Sequence, residues 1–291
     1  MILLLISIMC SSGIYVIFKY FDRFGIDTFQ AIVINYYVAA AFGFWYLGGI
    51  DLGALLSQGW LWWALGIGLL FISLFYLMAL TSQQLGVTVA SIASKMSLLI
   101  PVVILISIDP DEGMPASKLI GVGIGVLAVI LASMGGSVRK SEQSLAWLLP
   151  AVLFLGSGGL DFLLAMVQKQ YLSDSVSYKQ FVPIPFAVAG LSGTLIWPFT
   201  VRKAKKALKW RNAIAGLVLG LVNYGSIYFV LRVIGSGVMD RSSAIPANNI
   251  GVVLLSALLG VLLFRERLSA KNVAGVLLAV VSIALLTYFR F

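Results

Sequence analysis

The chain has 291 residues, 60 % of them hydrophobic and only 11 % charged, with a mean hydropathy of +1.03. A soluble domain carries about 25 % charged residues and cannot hide this much apolar surface in one core, which excludes a soluble globular class. The net charge of +9 gathers between apolar runs, as in membrane-protein loops, so nucleic acid is not an expected partner; one cysteine and no histidine exclude a disulfide framework and a Cys/His metal site.

A bilayer core needs roughly 20 apolar residues per helix. Charged and Gly/Pro/Asp clusters divide the chain into ten such runs, near 2–21, 28–48, 60–82, 86–108, 117–136, 146–171, 179–200, 211–234, 239–264 and 270–289. The expected fold is therefore an all-α integral membrane protein of ten transmembrane helices. Met1 to Phe18 has no basic start and no evident cleavage site, so it reads as a first span and not as a removed signal. In that span Ser7, Ser11 and Tyr15 share a face, and the third span carries Tyr76.

The fourth span holds the most informative residue. Lys95 lies well inside it, and a charge at the bilayer centre costs about 3 kcal/mol or more on insertion scales. Thr88, Ser91 and Lys95 follow at i, i+3 and i+7, one polar stripe that should face the interior of a bundle. A substrate or coupling role, a structural ion pair and snorkelling all remain open for Lys95. In the fifth span Gly121, Gly123 and Gly125 allow close helix contact, within the bundle or to a second copy. The sixth aligns Ser157, Asp161 and Gln168, and Asp161 is the natural counter-charge to Lys95 or a proton carrier. The eighth offers Asn223, Tyr224 and Tyr228. The ninth carries Ser242, Asn249 and Ser256 at heptad spacing, with Asn248 alongside and Pro246 as an expected kink. Solute contact and interhelical hydrogen bonding are both open for these amides.

The clearest connectors are Asp109 to Gly113, Val138 to Glu142 and the basic run from Arg202 to Arg211, with very short ones at 83–86 and 235–239. Loops after odd-numbered spans hold thirteen Lys and Arg (two at 19–23, two at 139–140, six at 202–211, three at 265–271), against six assigned to the loops after even-numbered spans and the C-terminal tail. This bias places the odd loops in the cytoplasm and both termini outside.

An internal repeat organises the chain. Glu112 to Gly121 matches Glu266 to Gly275, a glutamate after a long span followed nine residues later by a glycine opening the next (266 − 112 = 154). The same offset sets Lys95 against Asn249. Two repeats of five spans, 1–140 and 141–291, must insert in opposite senses, because five is odd. Glu112 and Glu266 are expected to cap the helix that follows each, or to pair with Lys118 or Arg267.

On this Glu112/Gly121 and Glu266/Gly275 pattern the chain resembles the EamA-type drug/metabolite transporter superfamily. The resemblance implies two inverted five-helix halves around a central cavity lined mainly by spans 1, 3, 4, 6, 8 and 9. It also implies transport of a metabolite such as an amino acid, nucleotide sugar or sugar phosphate. Many relatives have basic residues between spans 2 and 3 and their termini inside, whereas that loop here has only Asp51.

The expected function is a secondary transporter of the cell (inner) membrane, working by alternating access on a small anionic or zwitterionic metabolite, with proton coupling or exchange as options. Candidate substrate contacts are Lys95, Asn249, Asn248, Asp161, Ser91, Tyr15, Tyr76, Asn223 and Tyr224, with Asp161 and Lys95 as coupling groups. There is no GxxxxGK[ST], HExxH or GxSxG, so neither ATP-driven transport nor an enzyme is expected, and no cofactor. The expected partners are a small-molecule solute and membrane lipid, for a monomer or homodimer.

Overall fold

The computed structural model describes residues 2–48, 52–108, 116–134, 146, 148–172, 180–200, 209–236 and 241–288. Among them all regular structure is helical: α1 Ile2–Phe24, α2 Thr28–Leu47, the short α3 Leu52–Leu56, α4 Leu61–Leu85, α5 Val87–Lys95, a 3₁₀ turn Met96–Leu98, α6 Leu99–Ile108, α7 Ala116–Met134, α8 Leu148–Tyr171, α9 Pro183–Thr200, α10 Trp210–Gly235, α11 Arg241–Phe264 and α12 Ala270–Tyr288. Seven stretches are long and apolar enough to cross a membrane, and α7, α9 and α12 supply shorter apolar ones. Large apolar side chains such as Leu155, Leu195 and Leu262 lie on the outer surface, where lipid and not water is the compatible solvent. Trp45, Trp62 and Trp210 are exposed near helix ends, the depth at which indole rings favour the headgroup boundary. The chain is a multi-pass helical membrane protein.

The connectors 109–113 and 138–142, with Glu112 and the 140/141 boundary, lie outside the described residues, as do the basic residues from Arg202 to Lys206 and Asp240; the side chains of Lys118, Arg241 and Ser242 are likewise not described.

The helices form two compact units. The first contains Met1–Tyr20, Leu77–Gly159 and Gly225–Phe291, the second Phe21–Tyr76 and Leu160–Tyr224. Each draws helices from both halves of the sequence.

In the first unit α7 packs along α12 and α5 along α11. The α7–α12 pair is antiparallel: a Cβ on Gly121, near the start of α7, would lie 3.2 Å from Leu286 near the end of α12, and one on Gly275 would lie 2.9 Å from the backbone of Ala132. These two contacts are reciprocal, since 275 − 121 = 154 and 286 − 132 = 154. The surrounding core obeys the same offset, with Met96 and Ile250, Leu99 and Val253, Val122 and Val276, and Val129 and Ile283 in one cluster. Asn272 Nδ2 donates to Ala132 O at 2.8 Å, and Ser282 Oγ to Gly121 O at 2.7 Å, so both ends of the pair are pinned.

Hydroxyl donors fasten α1 within this unit. Ser7 Oγ donates to Ser226 O, Ser12 Oγ to Val252 O, and Ser82 Oγ to Tyr15 O. Lys19 Nζ donates to Gln83 O at 2.6 Å, and Gln83 Nε2 returns a bond to Phe18 O.

The second unit is built on α2 packed antiparallel along α9, where Gly43 meets Pro183 and Tyr37 meets Gly190. Tyr37 and Thr194 share a hydroxyl–hydroxyl bond of 2.8 Å. Tyr36, 2 % exposed, donates to Phe71 O and is surrounded by the rings of Phe71, Phe75 and Phe186. Gly216 and Gly220 of α10 lie against the backbone of α2 at Ala31 and Asn35. That close approach brings two amide pairs together: Asn212 Nδ2 donates to Gln30 Oε1 at 2.7 Å, and Asn223 Nδ2 to Asn35 Oδ1 at 3.1 Å.

Candidate functional site

Of the nine candidate contacts, the first unit holds Tyr15, Ser91, Lys95, Asn248 and Asn249, and the second holds Tyr76, Asp161, Asn223 and Tyr224.

Lys95 stands where its helix tightens. Pro101 has no N–H to give to the carbonyl four residues back, and Ser97 Oγ donates to Ser94 O at 2.6 Å, so helical bonding is disturbed over this stretch. The result is the 3₁₀ turn Met96–Leu98, which ends α5 at Lys95 in the middle of an apolar span. Half-buried Lys95 is thus the last residue of α5, at the point where the helix tightens before continuing as α6.

The other end of α5 is set by a residue read differently from sequence. Glu266 Oε1 accepts from Val87 N at 2.7 Å, while Oε2 accepts from Thr88 N at 3.4 Å and Thr88 Oγ1 at 3.0 Å. Glu266 therefore caps α5, a helix 179 residues earlier, and not the helix that follows it. That following helix, α12, is capped by Ser269 and Asn272, which exchange side-chain bonds with each other's backbone N–H. The aim of Glu266 comes from the end of α11: Arg265 is left-handed at φ 54° and Glu266 N returns to Gly260 O, the closing bond of a helix-terminating loop. Two glycines leave room for the carboxylate. Gly86, at φ +109°, takes a conformation that side chains rarely adopt, and a Cβ there or on Gly260 would lie 2.7 or 2.5 Å from a Glu266 oxygen.

Thr88 against Gly260 fixes the register of α5 on α11. Val87 and Ala90 share a cluster with Val252, Leu259 and Phe264, whereas Met96 and Leu99 share one with Ile250 and Val253, so the helices run antiparallel. Lys95 is seven residues beyond Thr88 on the same face, which brings its Cα level with Val253.

Ser91 is fully buried and donates to Thr88 O at 2.9 Å, turning its proton back onto its own helix. Tyr15, 2 % exposed, packs its ring among Val16, Val87, Ala90 and Val252. Asn248 and Asn249 of α11 are both buried. Asn248 Oδ1 and Ser256 Oγ have no hydrogen-bond partner among the described residues, where an unmade buried bond costs about 1–3 kcal/mol.

In the second unit Asp161 is half-buried on α8. Tyr76 meets Phe29 edge to face at 5.6 Å, and the Tyr224 ring lies 5.8 Å from Phe42. Asn223 is committed to Asn35. Asn35, Gln30, Asn212 and the cap by Glu266 went unnoticed in the sequence, since each is one polar residue whose partner is remote in the chain.

No family model matches the chain. A protein of Haemophilus influenzae described as an uncharacterized protein is 26 % identical over 295 residues, spanning 98 % of this chain and 97 % of its own. The similarity runs the whole length of both, so it takes in every helix described above.

Proposed function

We propose that the chain is a secondary transporter with the architecture of the EamA-type drug/metabolite transporters: ten spanning helices in two inverted repeats, 1–140 and 141–291, moving a small anionic or zwitterionic metabolite across the inner membrane by alternating access. The observation that carries this reading is counterpart packing. Counting α5 with α6 as one span, α2 lies on α9, α5 on α11 and α7 on α12, each pair five spans apart and antiparallel. Within each unit, a two-fold axis in the membrane plane would produce that arrangement, because it carries each helix onto an upside-down copy. The reciprocal contacts Gly121–Leu286 and Gly275–Ala132 support such an axis in the first unit.

Lys95, at the end of α5, supplies the charge for an acidic solute, with Ser91, Asn248 and Asn249 as polar neighbours on its own helix and on α11. Asp161, an acid within a span, is the group proposed to carry a coupled proton. Asn223 serves the bundle through its bond to Asn35, and Tyr15 through its packed ring.

Counterflow tests the function. The purified chain in proteoliposomes loaded with unlabelled metabolite should take up the labelled compound faster than unloaded vesicles. A panel of amino acids, hydroxy acids and sugar phosphates giving no trans-stimulation would remove the carrier reading.

A further inference from the structure

Serine and threonine in apolar helices ordinarily donate to the carbonyl four residues back, as Ser73, Thr81, Ser133 and Thr194 do here. Ser256 does not. The carbonyl four residues before it is Val252 O, which accepts Ser12 Oγ at 3.4 Å, and Ser256 Oγ is left buried without a partner among the described residues. Asn248 stands two turns earlier on the same side of α11. It is 6 % exposed, and its Oδ1 likewise has none, although the side chains of Asn35, Asn212, Asn223 and Asn272 are all bonded. Two polar atoms are thus held ready on the face of α11 that Val252 turns toward α1 and α5.

Their heights bracket Lys95. With Lys95 level with Val253, Ser256 is three residues away, about 4.5 Å along the axis, and Asn248 five residues the other way, about 7.5 Å. Ser256 is the nearer of the two in height, and its hydroxyl is the candidate second donor to a carboxylate or phosphate on Lys95. The Asn248 carbonyl can only accept, so it requires a hydrogen from the solute's other end.

We propose that the solute held at Lys95 is an acid bearing an N–H or O–H donor a few Å from the acid group, that Asn248 Oδ1 accepts that hydrogen, and that Ser256 joins Lys95 on the acid. This rests on the transporter reading and narrows its substrate class: acids without a donor are rejected.

The test uses matched sets at saturating concentration on the purified full chain: propionate, lactate and alanine; succinate, malate and aspartate; glutarate, 2-hydroxyglutarate and glutamate. In at least one set a donor-bearing member should raise the unfolding temperature, with an affinity about tenfold or more above its donor-free partner, the factor one ligand hydrogen bond supplies. Asn248→Leu should erase that preference, Asn248→Asp should keep it, and Ser256→Ala should weaken acids with and without donors alike. Without ligand, Asn248→Leu should unfold no lower than wild type, because it removes an unpaired acceptor. Equal binding of donor-bearing and donor-free acids, an unaltered preference in Asn248→Leu, or no binding in any set would overturn the proposal. Counterflow is measured separately, so a carrier that ignores the donor is told apart from a protein that carries nothing.

Discussion

The Thr88 hydroxyl donates to Glu266 Oε2 at 3.0 Å across 178 residues of sequence, in a cradle formed by the absent side chains of Gly86 and Gly260. One carboxylate thereby fixes the start of the helix whose other end is Lys95. Capping at the positive end of a helix is favoured by both hydrogen bonding and the helix dipole. Glu266→Ala should therefore lower stability by about 1–2 kcal/mol, from lost caps. Glu266→Gln, which keeps an acceptor oxygen, should lose less. Thermal unfolding in detergent measures both, and a neutral alanine variant would remove the cap from the stability account.

Gly260→Ala should be destabilising because its methyl would stand 2.5 Å from Glu266 Oε2 and 3.1 Å from Thr88 Oγ1. In the Glu266→Ala background the larger conflict is gone, so the cost of Gly260→Ala should shrink. The coupling in a double-mutant cycle is the quantity to measure, and additive effects would count against the cradle.

The α7–α12 pair makes an unequal prediction from equivalent glycines. A methyl on Gly275 meets the backbone of Ala128 and Ala132 at 3.0 and 2.9 Å, which cannot swing away. One on Gly121 meets the Leu286 side chain at 3.2 Å, which can rotate. Gly275→Ala should lower the unfolding temperature more than Gly121→Ala.

Asn223→Ala should cost about 0.6–1.7 kcal/mol, the range for hydrogen bonds between membrane helices. It should leave the apparent KM unchanged, since its amide is bonded to Asn35. Replacing Asn35 and Asn223 together by leucine should cost less than the sum of the single changes. A large rise in KM in Asn223→Ala would instead make Asn223 a solute contact.

Lys95→Ala should reduce transport to background while the protein still inserts and unfolds cooperatively. Lys95→Arg should keep part of the activity, because the charge survives with altered reach. Uptake into proteoliposomes at equal protein content checks this; full activity in Lys95→Ala would end its role in binding.

Much of the helical arrangement was legible in advance because the bilayer makes it so. Apolar length alone marks a helix in such a chain, and the bounds of Thr28–Leu47 and Trp210–Gly235 differ little from the expected 28–48 and 211–234. The interruption of the fourth segment was not foreseen: Pro101 was visible, but the turn it allows at Met96–Leu98 arises with the nearby bond from Ser97 to Ser94 O. For the site, the polar residues could be picked out, yet not sorted. Asn223 and Asn248 are both amides in apolar helices; one is bonded to Asn35 and the other has an oxygen with no partner among the described residues.

By itself, then, the sequence determined that this chain must live in lipid as a row of apolar helices, and where its few polar side chains fall along them. Lipid imposes that outcome residue by residue, since every backbone group must be satisfied within its own helix. Only the tertiary structure decided which polar atoms meet. Glu266 reaches Val87 and Thr88, Ser12 occupies the carbonyl Ser256 would otherwise use, and Asn272 closes on Ala132. Those partners are between 140 and 240 residues apart, and only the close packing of helices at their small residues brings them within bonding distance.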